Sequence, residues 1–372
     1  LAPGIAVAEG LVARGHQVAL LVSRKRVDAR LSAKYPALEF IPIPGAGLSW
    51  RPDLLVRFLW AQLSAFALTW RLIRSRRPAA LLGFGGFTSA PAALCGFLLR
   101  IPVALHEANR VTGRAVRVLS PLARRVYLPP PVGGGADPVG PSVDPAQPSC
   151  KLRHLSLPVR QEFARQPADT ARSALGLLPG KPLLVVLGGS QGASALNGWT
   201  RLAAPALLAE GLQLLCVTGM GKDAASLTAS ARPAQTGPSP VLIPFCDRMP
   251  ELLSAATLVV SRAGAGTIAE LIRCHTPSVL VPFPQAADDH QRANAEALVR
   301  QGGALLVPQA QLDTLLPTVL SLLRDAPRLA ALRTALALLD TQDPLPLLLS
   351  DLAALAEQRS GKREARSEKG SQ

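Results

Sequence analysis

Apolar residues fall along this chain in short runs of four or five, and the stretches between repeat them every three or four positions. That alternation predicts buried strands covered by helices. Leu1 to Gly15 reads as a helix, with Pro3 suited to a first turn, Ile5, Val7, Ala8 and Leu11 on one apolar side, and Gly15 as the stop. Gln17 to Val22 then reads as a strand, and Ala79 to Gly83, Pro102 to Leu105 and Arg125 to Leu128 repeat the form. Short apolar runs separated by helical segments are the signature of parallel strands with crossover helices. Pro129 to Pro148, rich in Pro, Gly and Asp and without periodicity, reads as a long loop.

A clearer second series begins at Pro182. Strands are predicted over 183–187, 212–218, 241–245, 257–260, 278–281 and 304–307, and helices over 193–210, 266–274 and 289–301. At 372 residues the chain exceeds the size at which one hydrophobic core stops growing. The expected organisation is therefore a first α/β domain over 1–157, a second over 158–342, a helix over 343–359 that returns to the first domain, and a flexible tail over 360–372. Ligands of such doubly wound sheets bind outside the carboxyl ends of the strands.

Composition sharpens this picture in two places. Hydrophobic residues reach 48% but aromatics only 4%, so Leu, Ala and Val must fill the cores. The five cysteines form no CxxC pair and no ligand spacing, which fits a reducing cytoplasm and no bound metal. The net charge of +15 is concentrated in the front half, where residues 1–157 carry 20 Lys plus Arg against 7 Asp plus Glu. Such a field attracts nucleic acid, an anionic bilayer or a phosphorylated ligand without choosing among them. Leu54 to Ile73 bears on the choice. It is apolar and Trp-containing, holds Arg57 and Arg71, and is followed by Arg74, Arg76 and Arg77. It reads either as a core helix or as a surface-seated helix with a basic collar that touches an anionic membrane, and not as a membrane span.

Candidate chemistry gathers at three strand ends. Gly188, Gly189, Ser190, Gln191 and Gly192 follow a strand and precede a helix, where glycines admit a close ligand and free N–H groups hold phosphate oxygens. Without a terminal GK[ST] this is no Walker loop. It also fits the short G-x-S-x-G pattern of a serine hydrolase, with Asp247 or Asp288 and His290 downstream. Ser261 to Thr267 is a second glycine cluster, with Gly264 and Gly266 at a helix start and Glu270 inside it, able to accept from both hydroxyls of a ribose. Pro282 to Asn294 forms the third, rich in amides and carboxylates.

Several motifs in order resemble one family. GGSQGA from Gly188, FCDRM from Phe245, SRAGAGTIAEL from Ser261 and VPFPQAADDHQRANA from Val281 look like the donor half of the bacterial peptidoglycan N-acetylglucosaminyltransferases. LAPGIAVAEGL from Leu1, GFGGFTSAP from Gly83 and HEANRVTGRA from His106 resemble their acceptor half. The resemblance implies two facing Rossmann-like domains of the GT-B type and an inverting transfer from UDP-N-acetylglucosamine to the C4 hydroxyl of undecaprenyl-diphosphate-linked N-acetylmuramoyl-peptide, lipid I becoming lipid II. It implies no cofactor, no metal and no nucleic-acid partner. On the donor side it assigns Ser190 and Gln191 to the diphosphate, Phe245 to the uracil, Glu270 to the ribose and Gln291 to the nucleotide-sugar. Gly264 and Thr267 border the diphosphate, and Arg160 approaches it from the hinge. Glu107 and Asn109 are the candidate catalytic pair on the acceptor side. The implied setting is peripheral, on the cytoplasmic face of the bacterial membrane, beside other cell-wall synthesis proteins. The family's loop ending in His precedes the segment matched by LAPG, so the numbered chain is expected to be N-terminally incomplete. Phe87, Ala108 and Leu157 depart from the family's usual Tyr, Gln and Asn. A nucleotide-sugar-binding relic and a related transferase with another acceptor stay open as alternatives.

Overall fold

The protein is described here by a computed structural model covering residues 1–24, 26–45, 52–132, 151–188, 193–219 and 240–369. The chain divides into two units, Leu1–Arg160 with Asp343–Gln372, and Gln161–Gln342.

In the first unit the strands are β1 (Ala19–Val22), β2 (Glu39–Pro42), β3 (Leu81–Gly83), β4 (Val103–His106), β5 (Arg125–Leu128) and β6 (Leu152–His154). Strands β1 and β2 pair in parallel, and β3 to β6 form a separate parallel sheet in sequence order. The helices here are α1 (Ala2–Val12), α2 (Arg26–Ala33), α3 (Pro52–Arg76), α4 (Ala90–Leu98) and α5 (Arg114–Leu119). Strand β4 is buried along its whole length, as expected of a continuous apolar run in the middle of a parallel sheet. Helix α3 is apolar on more than one side. Phe58, Ala65, Thr69 and Ile73 lie inward at helical spacing, whereas Val56, Trp60 and Leu63 are 67%, 73% and 64% exposed. The core-helix and surface-helix expectations thus describe two faces of one element.

The second unit carries α6 (Ala168–Ala174), β7 (Leu183–Leu187), α7 (Ala193–Ala209), β8 (Gln213–Val217), β9 (Val241–Ile243), α8 (Met249–Ala255) and β10 (Leu258–Ser261). It continues with α9 (Ala265–Arg273), β11 (Ser278–Leu280), α10 (His290–Arg300), β12 (Ala304–Leu306), α11 (Leu315–Arg324) and α12 (Ala326–Leu339). Its strands form one six-stranded parallel sheet in the order β12-β11-β10-β7-β8-β9. All carboxyl ends therefore open on the same edge. Every residue of β7 is buried, and Leu184 and Val186 meet Leu196 of α7, Leu258 and Val260 of β10 and Val319 of α11 in one core. Full burial of each such side chain is worth about 1.5–3 kcal/mol, which is what fixes strand order around β7.

The last helix, α13 (Pro344–Lys369), belongs to the first unit. Leu345, Leu348, Leu349, Leu352 and Leu355 pack with Val7 of α1. Gly10 makes that approach possible, because a Cβ there would stand 2.7 Å from Leu349 Cδ1. The segment from Ser360, expected as a flexible tail, is helical as far as Lys369. Its Lys, Arg, Glu and Ala are good helix formers, and propagation from a packed helix is far cheaper than nucleation. Most of the long loop expected from Pro129 lies outside the described residues.

Candidate functional site

In the second unit the donor candidates sit where parallel strands deliver them. Phe245 stands two residues past β9, half-buried. Past β10, Gly264 caps α9 with extended backbone, and Ile268 N–H donates to its carbonyl at 3.0 Å. Gly264 and Gly266 have no positive φ that would require glycine. A Cβ on Gly266 would meet nothing within 4 Å, and one on Gly264 only Thr267 Oγ1 at 3.9 Å. Neither the backbone nor the packing of this unit calls for glycine at these positions, so the helix N-terminus is open to the close approach of something else. Glu270 lies on the second turn of the same helix, half-buried.

The loop past β11 is held from several sides. Gln291 Oε1 accepts from Phe283 N–H at 3.0 Å, and Asn294 Nδ2 donates to the Ala263 carbonyl at 3.2 Å. Arg262, which sequence reasoning quoted within a motif but gave no part, is 5% exposed. Its Nη1 donates to the carbonyls of Val281 and Pro282 at 3.1 and 3.2 Å, and its Nη2 donates to Gln309 Oε1 at 2.6 Å. The guanidinium also lies 5.5 Å from the centre of the Phe283 ring. Burial pushes its pKa down to about 10, which leaves it charged at neutral pH. Asn197 Nδ2 donates from α7 to the Thr218 carbonyl at 3.1 Å. Ser190 and Gln191 lie outside the described residues.

In the first unit β4 ends at His106 and the chain turns at Glu107, whose N–H donates to the Tyr127 carbonyl at 2.8 Å. Glu107 is 4% exposed. Its Oε1 accepts from Asn109 N–H at 2.9 Å and from Asn109 Nδ2 at 3.1 Å, and its Oε2 accepts from Gly113 N–H at 2.7 Å, at the N-cap of α5. One buried carboxylate thus closes the whole HEANRVTG loop. His106 stacks on Phe84 and meets Tyr127 at a tilt, with centroids 5.7 and 5.9 Å away, and its Nε2 lies 3.3 Å from the Ser156 carbonyl. Burial pushes its pKa down to about 4, outweighing the hydrogen bonds to the Ser156 and Glu107 backbone. The imidazole is accordingly neutral near pH 7. Arg160, buried at the end of this unit's first segment, donates from Nη1 to Tyr35 Oη at 3.2 Å.

Two family models match in this order, the glycosyltransferase family 28 N-terminal domain over residues 1–128 and the family 28 C-terminal domain over 183–343. A transferase of Opitutus terrae is 51% identical over 95% of this chain and 91% of its own length. It is named UDP-N-acetylglucosamine–N-acetylmuramyl-(pentapeptide) pyrophosphoryl-undecaprenol N-acetylglucosamine transferase. The chain belongs to glycosyltransferase family 28. A Synechococcus elongatus protein with the same name is 34% identical over 94% of each chain. Among solved structures, MurG of Acinetobacter baumannii superposes with a TM-score of 0.67 at 26% identity, covering 95% of both chains. The fold is thus the two-domain GT-B arrangement of Rossmann-like units, and this family 28 chain is a glycosyltransferase. The serine-hydrolase alternative falls with that assignment. His290 Nδ1 is turned to the Ala287 carbonyl of its own turn, at 2.7 Å.

Proposed function

We propose that this family 28 transferase moves N-acetylglucosamine from UDP-N-acetylglucosamine to the C4 hydroxyl of undecaprenyl-diphosphate-linked N-acetylmuramoyl-peptide, forming lipid II from lipid I. The observation that carries the donor side is the open N-terminus of α9, where Gly264 and Gly266 leave space that the unit's own atoms do not fill and Glu270 follows on the next turn. Backbone N–H groups at that terminus stabilise the diphosphate, Thr267 adds a hydroxyl, and Glu270 accepts from the ribose diol. Ser190, Gln191 and Arg160 serve the diphosphate, Phe245 flanks the uracil, and Gln291 meets the sugar.

In the reaction the acceptor oxygen forms a bond to the anomeric carbon, and the bond from that carbon to the diphosphate breaks with its electron pair leaving on UDP. The acceptor hydroxyl releases its proton, and attack from the face opposite the leaving group inverts the centre. Charge growing on the leaving diphosphate meets N–H dipoles already in place, the arrangement that contributes most in such sites. On the acceptor side Glu107 orders the loop that carries Asn109 through the hydrogen bonds it accepts.

The lipid carrier of the acceptor calls for work at a bilayer surface. Among the described residues no helix is long and apolar enough to cross a membrane. The exposed Val56, Trp60 and Leu63 of α3, with Phe97 and Leu98 of the adjoining α4, support a peripheral seat on an anionic, cytoplasmic-face membrane. Exposed Arg71, Arg74, Arg77 and Arg100 supply the charge.

One experiment tests both halves. A lipid I analogue is offered with UDP-N-acetylglucosamine in anionic and in neutral vesicles at two salt concentrations. The expected result is a disaccharide-linked product, formed faster on anionic vesicles and with an advantage that salt removes. Donor binding without product would replace the reaction with a binding role, and equal rates on both vesicle types would remove the anionic surface from the partners.

A further inference from the structure

We infer that Arg262 is a positioning residue for the donor sugar, coupling the loop past β11 to the ribose-facing helix α9. The inference rests on the donor-site reading above. Arg262 is the first residue beyond β10, and it reaches sideways along the sheet edge to the end of the neighbouring β11 and to that of β12 beyond it. Its planar fork spans the carbonyls of Val281 and Pro282, just past β11, and Gln309 Oε1, just past β12. A compact ammonium has no such two-sided geometry.

From there the connections run to the sugar candidate. Pro282 leads into Phe283, whose ring lies beside the guanidinium and whose N–H donates to Gln291 Oε1. With its oxygen taken by that N–H, the Gln291 amide has its orientation set by the loop, and Arg262 sets the loop. On the other flank the Ala263 carbonyl, next to Arg262, accepts from Asn294 one turn beyond Gln291 on α10. Arg262 thus ties the turn before α9 to the loop that carries the sugar contact. Donor sites need polar groups held to within a fraction of an ångström, and residues that hold them in place act through such second contacts.

A positioning part and a merely structural one make different predictions for two ligands. UDP lacks the sugar, so a loop displaced near Gln291 harms UDP-N-acetylglucosamine binding more than UDP binding. A general loosening of the unit harms both alike. In the full chain, Arg262→Met is expected to lower the ratio of UDP-N-acetylglucosamine affinity to UDP affinity about ten-fold, with UDP affinity held within about two-fold. Gln309→Ala removes one arm of the fork while leaving the buried cation in place, and is expected to lower the same ratio about three-fold, which keeps the test open if the methionine variant does not fold. Parallel weakening of both ligands, or an unchanged ratio in folded protein, overturns the inference. Glu270→Ala, titrated with UDP alone, checks the underlying site separately. Unchanged UDP affinity there removes the donor-site reading, whatever Arg262 does.

Discussion

The two units fix their buried loops with opposite charges. In the first, carboxylates do it. Glu107 gathers three N–H donors around itself, and Asp351 of α13 accepts from Arg125 Nε at 3.2 Å, from Arg153 Nη1 at 3.3 Å and from Tyr127 Oη at 2.7 Å. In the second, the buried centre is the Arg262 cation, which donates to carbonyls. The contrast follows from what each loop leaves unpaired. The first unit's loop runs into the N-terminus of α5, which presents N–H groups that need acceptors. The second unit's loop leaves the end of β11 with carbonyls turned inward, which need donors.

The largest expected effect tests whether the first unit depends on its anions. Asp351→Ala leaves Arg125 in a site where its side chain is only 9% exposed and removes the partner of Tyr127. Breaking a buried pair in this way costs about 3–5 kcal/mol, read as a lowered urea midpoint. A midpoint unchanged from the parent would show that α13 is held by its leucines alone.

Next in size is a pH effect in the same unit. The folded His106 pKa, pushed down to about 4, lies below its ordinary value of 6.5. As pH falls, the unfolded chain takes up the proton first, so the stability is complete above 6.5 and is lost between 6.5 and 4. The loss amounts to about 3 kcal/mol. Urea midpoints for the parent and His106→Gln across that window should diverge at neutral pH and converge toward pH 4. Parallel curves would mean that the imidazole is not the titrating group.

Much of this was legible beforehand, and the parts that were not have a common cause. Strands β7, β8, β10 and β11 were predicted within one or two residues, because fully buried parallel strands read as unbroken apolar runs. Helices α11 and α12 were not predicted. APRLAALRTALALL carries leucine and alanine on almost every side, so no period announced its single buried face, whereas LLPTVLSLLR does gather its apolar residues on one side, with Leu315, Val319 and Leu322 buried at helical spacing, and was simply passed over. At the candidate site, Glu270, Gln291 and Glu107 were singled out because they stand inside recognisable motifs. Gln309 was not, since its work depends on β12 lying beside β11, a pairing that one-dimensional spacing does not reveal. The Arg125–Asp351 pair, separated by 226 positions, was hidden for the same reason.

The smallest effect sharpens the contrast most, because it concerns a carboxylate in the unit that otherwise relies on a cation. Glu270 is half-buried on α9, behind the open N-terminus at Gly264 and Gly266, whereas Glu107 is enclosed by its own loop. If Glu270 meets a ligand, its removal should change binding and spare folding. Glu270→Ala is expected to weaken UDP-N-acetylglucosamine binding by about 1.5–3 kcal/mol in calorimetric titration, the scale of a charge-assisted hydrogen bond lost from a ribose. The urea midpoint should shift by less than about 0.5 kcal/mol, as for a substitution outside the core. A donor lacking the ribose 2′ hydroxyl would lose part of that energy with the parent protein and little more with the variant, since the partner is already gone. If the variant binds both donors as the parent does, Glu270 is an ordinary helix residue and the second unit recognises its ligand without a carboxylate. If the midpoint falls while affinity holds, Glu270 belongs with Glu107 and Asp351, and the division of labour between the units disappears.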